Sequence, residues 1–163
     1  MKLYHFTGVE YLEEIATAGL TRGEVPLGPM KTENAVWLTR DPDPDSQGWA
    51  GEGHVLTDLE RELAAKLKGR PVPPGAFLAD KRAVRLIIEV PAGDAKLVPW
   101  LTFARQRGVS GKWRRTLNRT GGGGQENWFL YLGTVPTKWI MVDMSYGRAL
   151  EVLESRNTEE DEA

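Results

Sequence analysis

The chain has 163 residues, 40% of them hydrophobic and 27% charged, an ordinary balance for a globule with a core of its own. It contains no cysteine, which excludes disulfides and thiolate chemistry, and only two histidines, which excludes an all-histidine metal site. The net charge of −2 hides three blocks: residues 1–60 carry 4 basic and 11 acidic side chains, residues 61–119 carry 14 and 4, and residues 120–163 carry 3 and 8.

Residues 2–7 alternate and are rich in β-formers, which predicts a first strand ended by Gly8. Tyr11, Leu12, Ile15 and Ala16 then recur at helical spacing, and Gly19 follows as the residue after the helix. Pro26, Gly28 and Pro29 make residues 21–33 read as an irregular loop. Residues 35–39 predict a short strand, and alternating Asp and Pro over 41–45 a stiff acidic turn. Thr57 and Glu60 have the spacing of a capping box, opening a helix that Gly69 closes. Residues 83–90 are the most apolar strand, and their near-continuous apolarity predicts burial on both faces. Pro99 starts a short helix to about Arg107. Residues 112–119 are basic and carry no clear period. The glycines at 121–124 predict an adjustable loop. Residues 128–132 and 138–144 are two further strands, and residues 147–153 a last short helix or turn.

Strands and helices mix without strict alternation, so the fold class expected is α+β. The length fits a single domain over residues 1–154, followed by an acidic, disordered tail over 155–163. Early glutamates and the lack of a long apolar run argue against a signal peptide or a membrane span, and the expected location is cytoplasmic. Neither a GxGxxG nor a GxxxxGK[ST] motif occurs, so neither dinucleotide nor P-loop signature is present.

Chemistry rests on few residues. His5 stands mid-strand between Tyr4 and Phe6, where it either faces a cleft and bonds a ribose or phosphate oxygen, or is a structural histidine bonded to backbone. Glu126 follows the glycine run and precedes a strand; it is either a reactive carboxylate beside an adjustable loop or an exposed loop carboxylate. Trp37 either walls a pocket or packs in the core, and Thr39 either bonds a ligand or ends its strand. Arg114 and Arg115, with Lys112, Trp113 and Arg119, interleave cations with an aromatic ring, a pattern that suits a nucleic-acid backbone and a stacked base, the diphosphate of a dinucleotide, or simply a solvated helix face. Gln125 either orients an acceptor or lies on the surface. His54 reads as a surface histidine, and Asp41, Asp43 and Asp45 are held apart by prolines, so no metal is expected.

Together, Tyr4-His5-Phe6-Thr7 with the helix ending at Gly19-Leu20, then Val36-Trp37-Leu38-Thr39, then Glu126 before an apolar strand reaching Val135-Pro136, resemble the ADP-ribosyltransferase-like superfamily. The likeness is to its diphtheria-toxin-like and DNA-modifying branches. The resemblance implies a split β-sheet core with flanking short helices and NAD as a substrate. It implies that His5 holds the adenosine ribose, that Thr7, Trp37 and Thr39 lie on the nicotinamide side, and that Glu126 is catalytic. Gln125, Arg114 and Arg115 then fall on the acceptor side, with a nucleic acid as the candidate acceptor. The pattern departs from the family in two places. No tyrosine pair for stacking on nicotinamide is evident, Tyr11 and Trp37 being the candidates, and Gly124 stands where the arginine-modifying branch has an acidic or amide residue. The alternatives are an RNA 2′-phosphotransferase, which shares the fold, and a non-catalytic nucleic-acid-binding module.

Overall fold

A computed structural model describes residues 1–44, 53–78 and 80–147, and it is an α+β fold built on a mostly antiparallel sheet. The strands are β1 (Lys2–Thr7), β2 (Glu24–Gly28), β3 (Lys31–Asn34), β4 (Val36–Thr39), β5 (His54–Val55), β6 (Phe77–Leu78), β7 (Val84–Glu89), β8 (Leu97–Pro99), β9 (Trp128–Tyr131) and β10 (Ile140–Val142). The helices are α1 (Leu12–Ala18), α2 (Asp58–Lys68), α3 (Trp100–Gln106) and α4 (Gly111–Thr120). Six strands form the main sheet in the order β10-β7-β1-β4-β9-β8, all antiparallel; β2-β3 form a small hairpin, and β5-β6 a two-stranded sheet whose strands are joined through α2. The helix read over 147–153 and the tail after it lie outside the described residues, apart from Gly147.

The sheet is unevenly joined. β1 pairs with β7 along its whole length, from Lys2 opposite Glu89 to Thr7 opposite Val84. Between β1 and β4 the register is reduced to Tyr4 opposite Thr39. β4 then pairs fully with β9, from Val36 opposite Tyr131 to Thr39 opposite Trp128. The sheet is therefore two well-paired halves, β10-β7-β1 and β4-β9-β8, meeting at one point.

Alternation assigns the faces. Leu3, Leu86, Ile88, Val36, Leu38 and Phe129 point to one face and close over Ile15 of α1 in a continuous core. On the opposite face, α3 and α4 cover only the β4-β9-β8 half. There Trp100, Phe103 and Ala104, spaced as one helical stripe, pack with Leu130, Trp128 and Val25, and Trp100 is wholly buried. β7 is thus buried on one face only. Arg85 and Ile87 are partly exposed on the other and Glu89 is exposed, because β7 lies in an antiparallel half-sheet that no helix among the described residues covers on that side.

The local signals largely hold. Thr57 and Glu60 form the reciprocal capping box and Gly69 closes α2 in the left-handed conformation. Residues 21–33, read as a loop, instead contain the β2-β3 hairpin. Pro26 is accommodated at a register shift between Pro26 and Gly28, where a missing N–H costs little. The basic stretch 112–119 is helical: Ser110 caps α4 by accepting from the Trp113 amide, and Trp113 and Leu117 turn inward one turn apart.

Gly19 is required by space as well as by conformation. Its φ is 79°, and a Cβ there would sit 2.2 Å from the Val135 carbonyl oxygen. That close approach lets Leu20 and Val135 exchange backbone hydrogen bonds of 3.0 and 2.9 Å. Gly19→Ala is expected to destabilise the fold by about 2 kcal/mol. Urea unfolding with an unchanged midpoint would refute this account of the joint.

Candidate functional site

The three segments singled out by sequence, though far apart in the chain, lie on three neighbouring strands: His5 on β1, Trp37 and Thr39 on β4, and Glu126 at the entrance to β9. His5 lies beside β4 where the sheet halves part, whereas Glu126 lies beyond the Thr39 end of β4, next to Arg40. His5 spans that gap: its Nδ1 is 2.8 Å from the Trp37 carbonyl oxygen. The side chain takes the place of the ladder bonds that β1 and β4 do not make there.

This contact fixes the tautomer. A carbonyl oxygen only accepts, so Nδ1 carries the proton. Burial holds the imidazole below its ordinary value of 6.5; the Trp37 bond opposes that shift and the positive field of Lys81 reinforces it. The ring is therefore neutral at pH 7, and Nε2 offers a lone pair. The bond to the Trp37 carbonyl is that of a structural histidine bonded to backbone, and the remaining Nε2 of the neutral ring can accept a hydrogen bond but cannot donate one to a phosphate.

Trp37 and Thr39 fall on the other face from His5 and Thr7, because Thr39 lies opposite Tyr4 in the register. The Trp37 ring packs 5.2 Å from Trp100 and 5.8 Å from Trp128, and its Nε1 donates to the Glu24 carbonyl at 3.0 Å. That is the core-packing role. Thr39 is 4% exposed and its Oγ1 accepts from the Asp41 amide at 3.0 Å, which is the role of a residue ending a strand and starting a turn. Thr7 is buried at the end of β1. Thus the four residues expected around the cofactor are divided between the two faces, and only His5 and the Trp37 backbone meet. Tyr11 is exposed at the start of α1.

Glu126 sits in a 3-10 turn, Gln125–Asn127, leading into β9. It is exposed and has no ion-pair or hydrogen-bond partner among the described residues. Its backbone is well held. The Arg40 amide donates to the Asn127 carbonyl at 3.0 Å, and the Gln125 amide donates to Asn118 Oδ1 at 3.1 Å. The glycine run is equally organised: Gly121 donates to the Leu117 carbonyl at 2.8 Å and Gly123 to the Asn118 carbonyl at 2.7 Å. Gly121 lies so close under Trp128 that a Cβ would stand 2.5 Å from the indole. The expected adjustable loop is a hydrogen-bonded turn in which Gly121 serves close packing and Gly122 and Gly123 take left-handed φ values of 88° and 84°.

The side-chain amide oxygen of Gln125 is turned inward and buried without a partner among the described residues, as is Nε of Arg114. Arg115 is exposed. Trp113 donates through Nε1 to the Pro26 carbonyl at 3.0 Å and packs in the core, so it is no stacking platform for a base. His54 is an exposed histidine bonded to Glu60, as read. Asp41 accepts from the Asp43 amide, and Asp45 lies outside the described residues. No group of three metal-binding side chains occurs among the described residues, and no helix there is long and apolar enough to cross a membrane.

One residue that sequence reasoning did not single out organises this region. Arg85, opposite Phe6, donates through Nε and Nη2 to Asp143 Oδ2 at 2.9 and 2.7 Å and through Nη1 to the Pro42 carbonyl at 2.7 Å. Its guanidinium lies between the rings of Tyr4 and Tyr146, 5.5 and 4.9 Å from their centroids. It thereby ties residues 40–43, which touch the Glu126 turn, to β1 and to the segment after β10. An arginine in a strand gives no sequence signal that its partner lies 58 residues away. Compared with protein-family models, curated proteins and solved structures, the chain matches none.

Proposed function

We propose that this protein is an NAD-dependent ADP-ribosyltransferase that cleaves the nicotinamide–ribose bond at Glu126 and passes ADP-ribose to a macromolecule. The observation that carries the reading is the adjacency of β1, β4 and β9 at the parting of the two half-sheets. It sets on strands two apart in the sheet a neutral histidine and, at the entrance to the other strand, a carboxylate without a partner among the described residues, which supports the reading. Strand spacing puts β1 and β9 about 10 Å apart across β4, a span that suits an extended dinucleotide better than a single sugar.

In this reading Nε2 of His5 accepts from a hydroxyl of the adenosine ribose. The bond between ribose C1′ and the nicotinamide nitrogen breaks, and its electron pair leaves with nicotinamide. Positive charge develops on the ribose as in glycoside hydrolysis, and the Glu126 carboxylate stabilises it. The acceptor's nucleophilic atom then bonds C1′ and gives up its proton. The backbone of the turn that carries Glu126 is anchored on both sides, and neither anchor engages its carboxylate.

The direct test is release of nicotinamide from labelled NAD by the purified protein, with and without macromolecular acceptors. No release, together with no rise in melting temperature on adding NAD, would end this reading. His5→Phe is expected to raise KM for NAD about tenfold with kcat little changed, the effect of losing one hydrogen bond to substrate. Because His5 is held below 6.5, KM is expected to stay flat from pH 6.5 upward and to rise only as the pH falls well below that value. A KM that instead improved on acidification would contradict a lone-pair role for Nε2.

A further inference from the structure

We infer that the outer face of α4, next to the Glu126 turn, binds the phosphate backbone of a nucleic acid and presents it as the ADP-ribose acceptor; the acceptor role, though not the binding, rests on the transferase reading above. Residues 97–125 contain Arg105, Arg107, Lys112, Arg114, Arg115 and Arg119 and not one Asp or Glu. The fold spends only one of these six on an ion pair within the described residues: Arg107 with Glu33, at 2.8 Å. Inward-facing Trp113 and Leu117 fix the rotation of α4. Lys112, Arg115 and Arg119, at i, i+3 and i+7, consequently form one exposed stripe about 10 Å long without a carboxylate partner among the described residues.

The same face is anchored to the site. Asn118, one residue before Arg119, receives the Gln125 amide at 3.1 Å, and Glu126 follows directly. The stripe therefore ends at Arg119, next to the residue that holds the turn carrying Glu126. The chemistry of the face selects among polyanions. None of the exposed large hydrophobic side chains falls between residues 97 and 140. A membrane-surface helix needs apolar residues to insert, and a protein hot spot needs an aromatic or aliphatic anchor. A face with cations alone matches a regular phosphate backbone. With Trp113 turned inward, no base stacking on this helix is expected, so binding should depend on salt far more than on base sequence.

The test is fluorescence anisotropy of the full chain with short labelled single-stranded DNA, RNA and duplex DNA, titrated from about 50 to about 200 mM salt. The comparison protein carries Lys112→Gln, Arg115→Gln and Arg119→Gln together, changes that keep good helix formers at exposed positions and whose folding is checked by circular dichroism. The expected result is oligonucleotide binding whose log–log salt slope falls by about 2 to 3 in the triple variant, with affinity at low salt down at least about tenfold. Equal binding by the two proteins, or no salt-dependent binding at all, would overturn the inference. So would binding to polyglutamate as tight as to the oligonucleotides, which would mark an unselective anion surface. Oligonucleotide binding by a protein that releases no nicotinamide would remove the transferase reading while leaving the binding surface in place.

Discussion

Glu126→Gln is expected to slow nicotinamide release from NAD by about 100- to 1,000-fold, which corresponds to about 3–4 kcal/mol of transition-state stabilisation. The amide keeps the size of the side chain and removes its charge, so it tests the electrostatic role alone. Almost no effect on stability should accompany this loss. Glu126 is exposed and has no partner among the described residues, and its turn is held by backbone contacts through Asn127 and Gln125 that the substitution does not touch. The unfolding midpoint should change by no more than a surface substitution does, about 0.5 kcal/mol. Measured together, the two readouts separate chemistry from folding. Retained turnover in Glu126→Gln would dismiss this residue as the catalytic carboxylate.

Asp143→Ala is expected to cause the largest loss of stability, about 3 kcal/mol. Its side chain is 10% exposed and that of Arg85 18%, so deleting the carboxylate leaves a largely buried guanidinium without the acceptor for its Nε and Nη2. For a chain of this size that is a fall of about 6–12 °C in melting temperature. Replacing both partners, Arg85→Met with Asp143→Leu, should cost less than the sum of the single changes, because no orphaned charge remains. Additive single and double effects would show that the pair is not coupled. The pair also sets an acid limit. Burial alone would raise the Asp143 carboxyl, but hydrogen bonds from Ser145 and Arg85, with the Arg85 charge, outweigh it and hold the group below 3.8. A depressed carboxyl stabilises the fold fully above its unfolded value and loses that contribution as the pH falls through its folded value. Stability from this pair should therefore be intact at pH 5 and fade below about pH 4, and Asp143→Ala should flatten that part of the curve.

Much of the local structure was legible because short-range rules decide it. The capping box at Thr57 and Glu60 and the helix stop at Gly69 follow from hydrogen bonds within a few residues. The start of α3 after Pro99 and its buried stripe follow from a fixed φ and a helical period. The β2-β3 hairpin was missed because Pro26 and Gly28 look like breakers, and only a register shift makes them compatible with a strand. Helix α4 was legible only as one alternative, a solvated helix face, because cations outnumber apolar residues in it. Its apolar contribution is Trp113 and Leu117, enough to orient a helix once a core exists but too little to announce one.

The sequence by itself determined the α+β class, the lack of thiolate chemistry, the concentration of positive charge in the middle of the chain, and the residue types available at positions 5 and 126. These are matters of composition and local period. Tertiary structure decided the rest. Pairing between strands far apart in the chain set β1, β4 and β9 side by side, and the short register between β1 and β4 opened the gap that His5 fills. The carbonyl of Trp37 then chose the imidazole tautomer, and strand register sent Trp37 and Thr39 to the opposite face. Packing of Trp113 turned a run of mixed cations into one exposed stripe. Each outcome depends on which backbone group or face a residue meets across the sheet, and that is fixed by long-range pairing, which leaves no mark in the spacing of neighbouring residues.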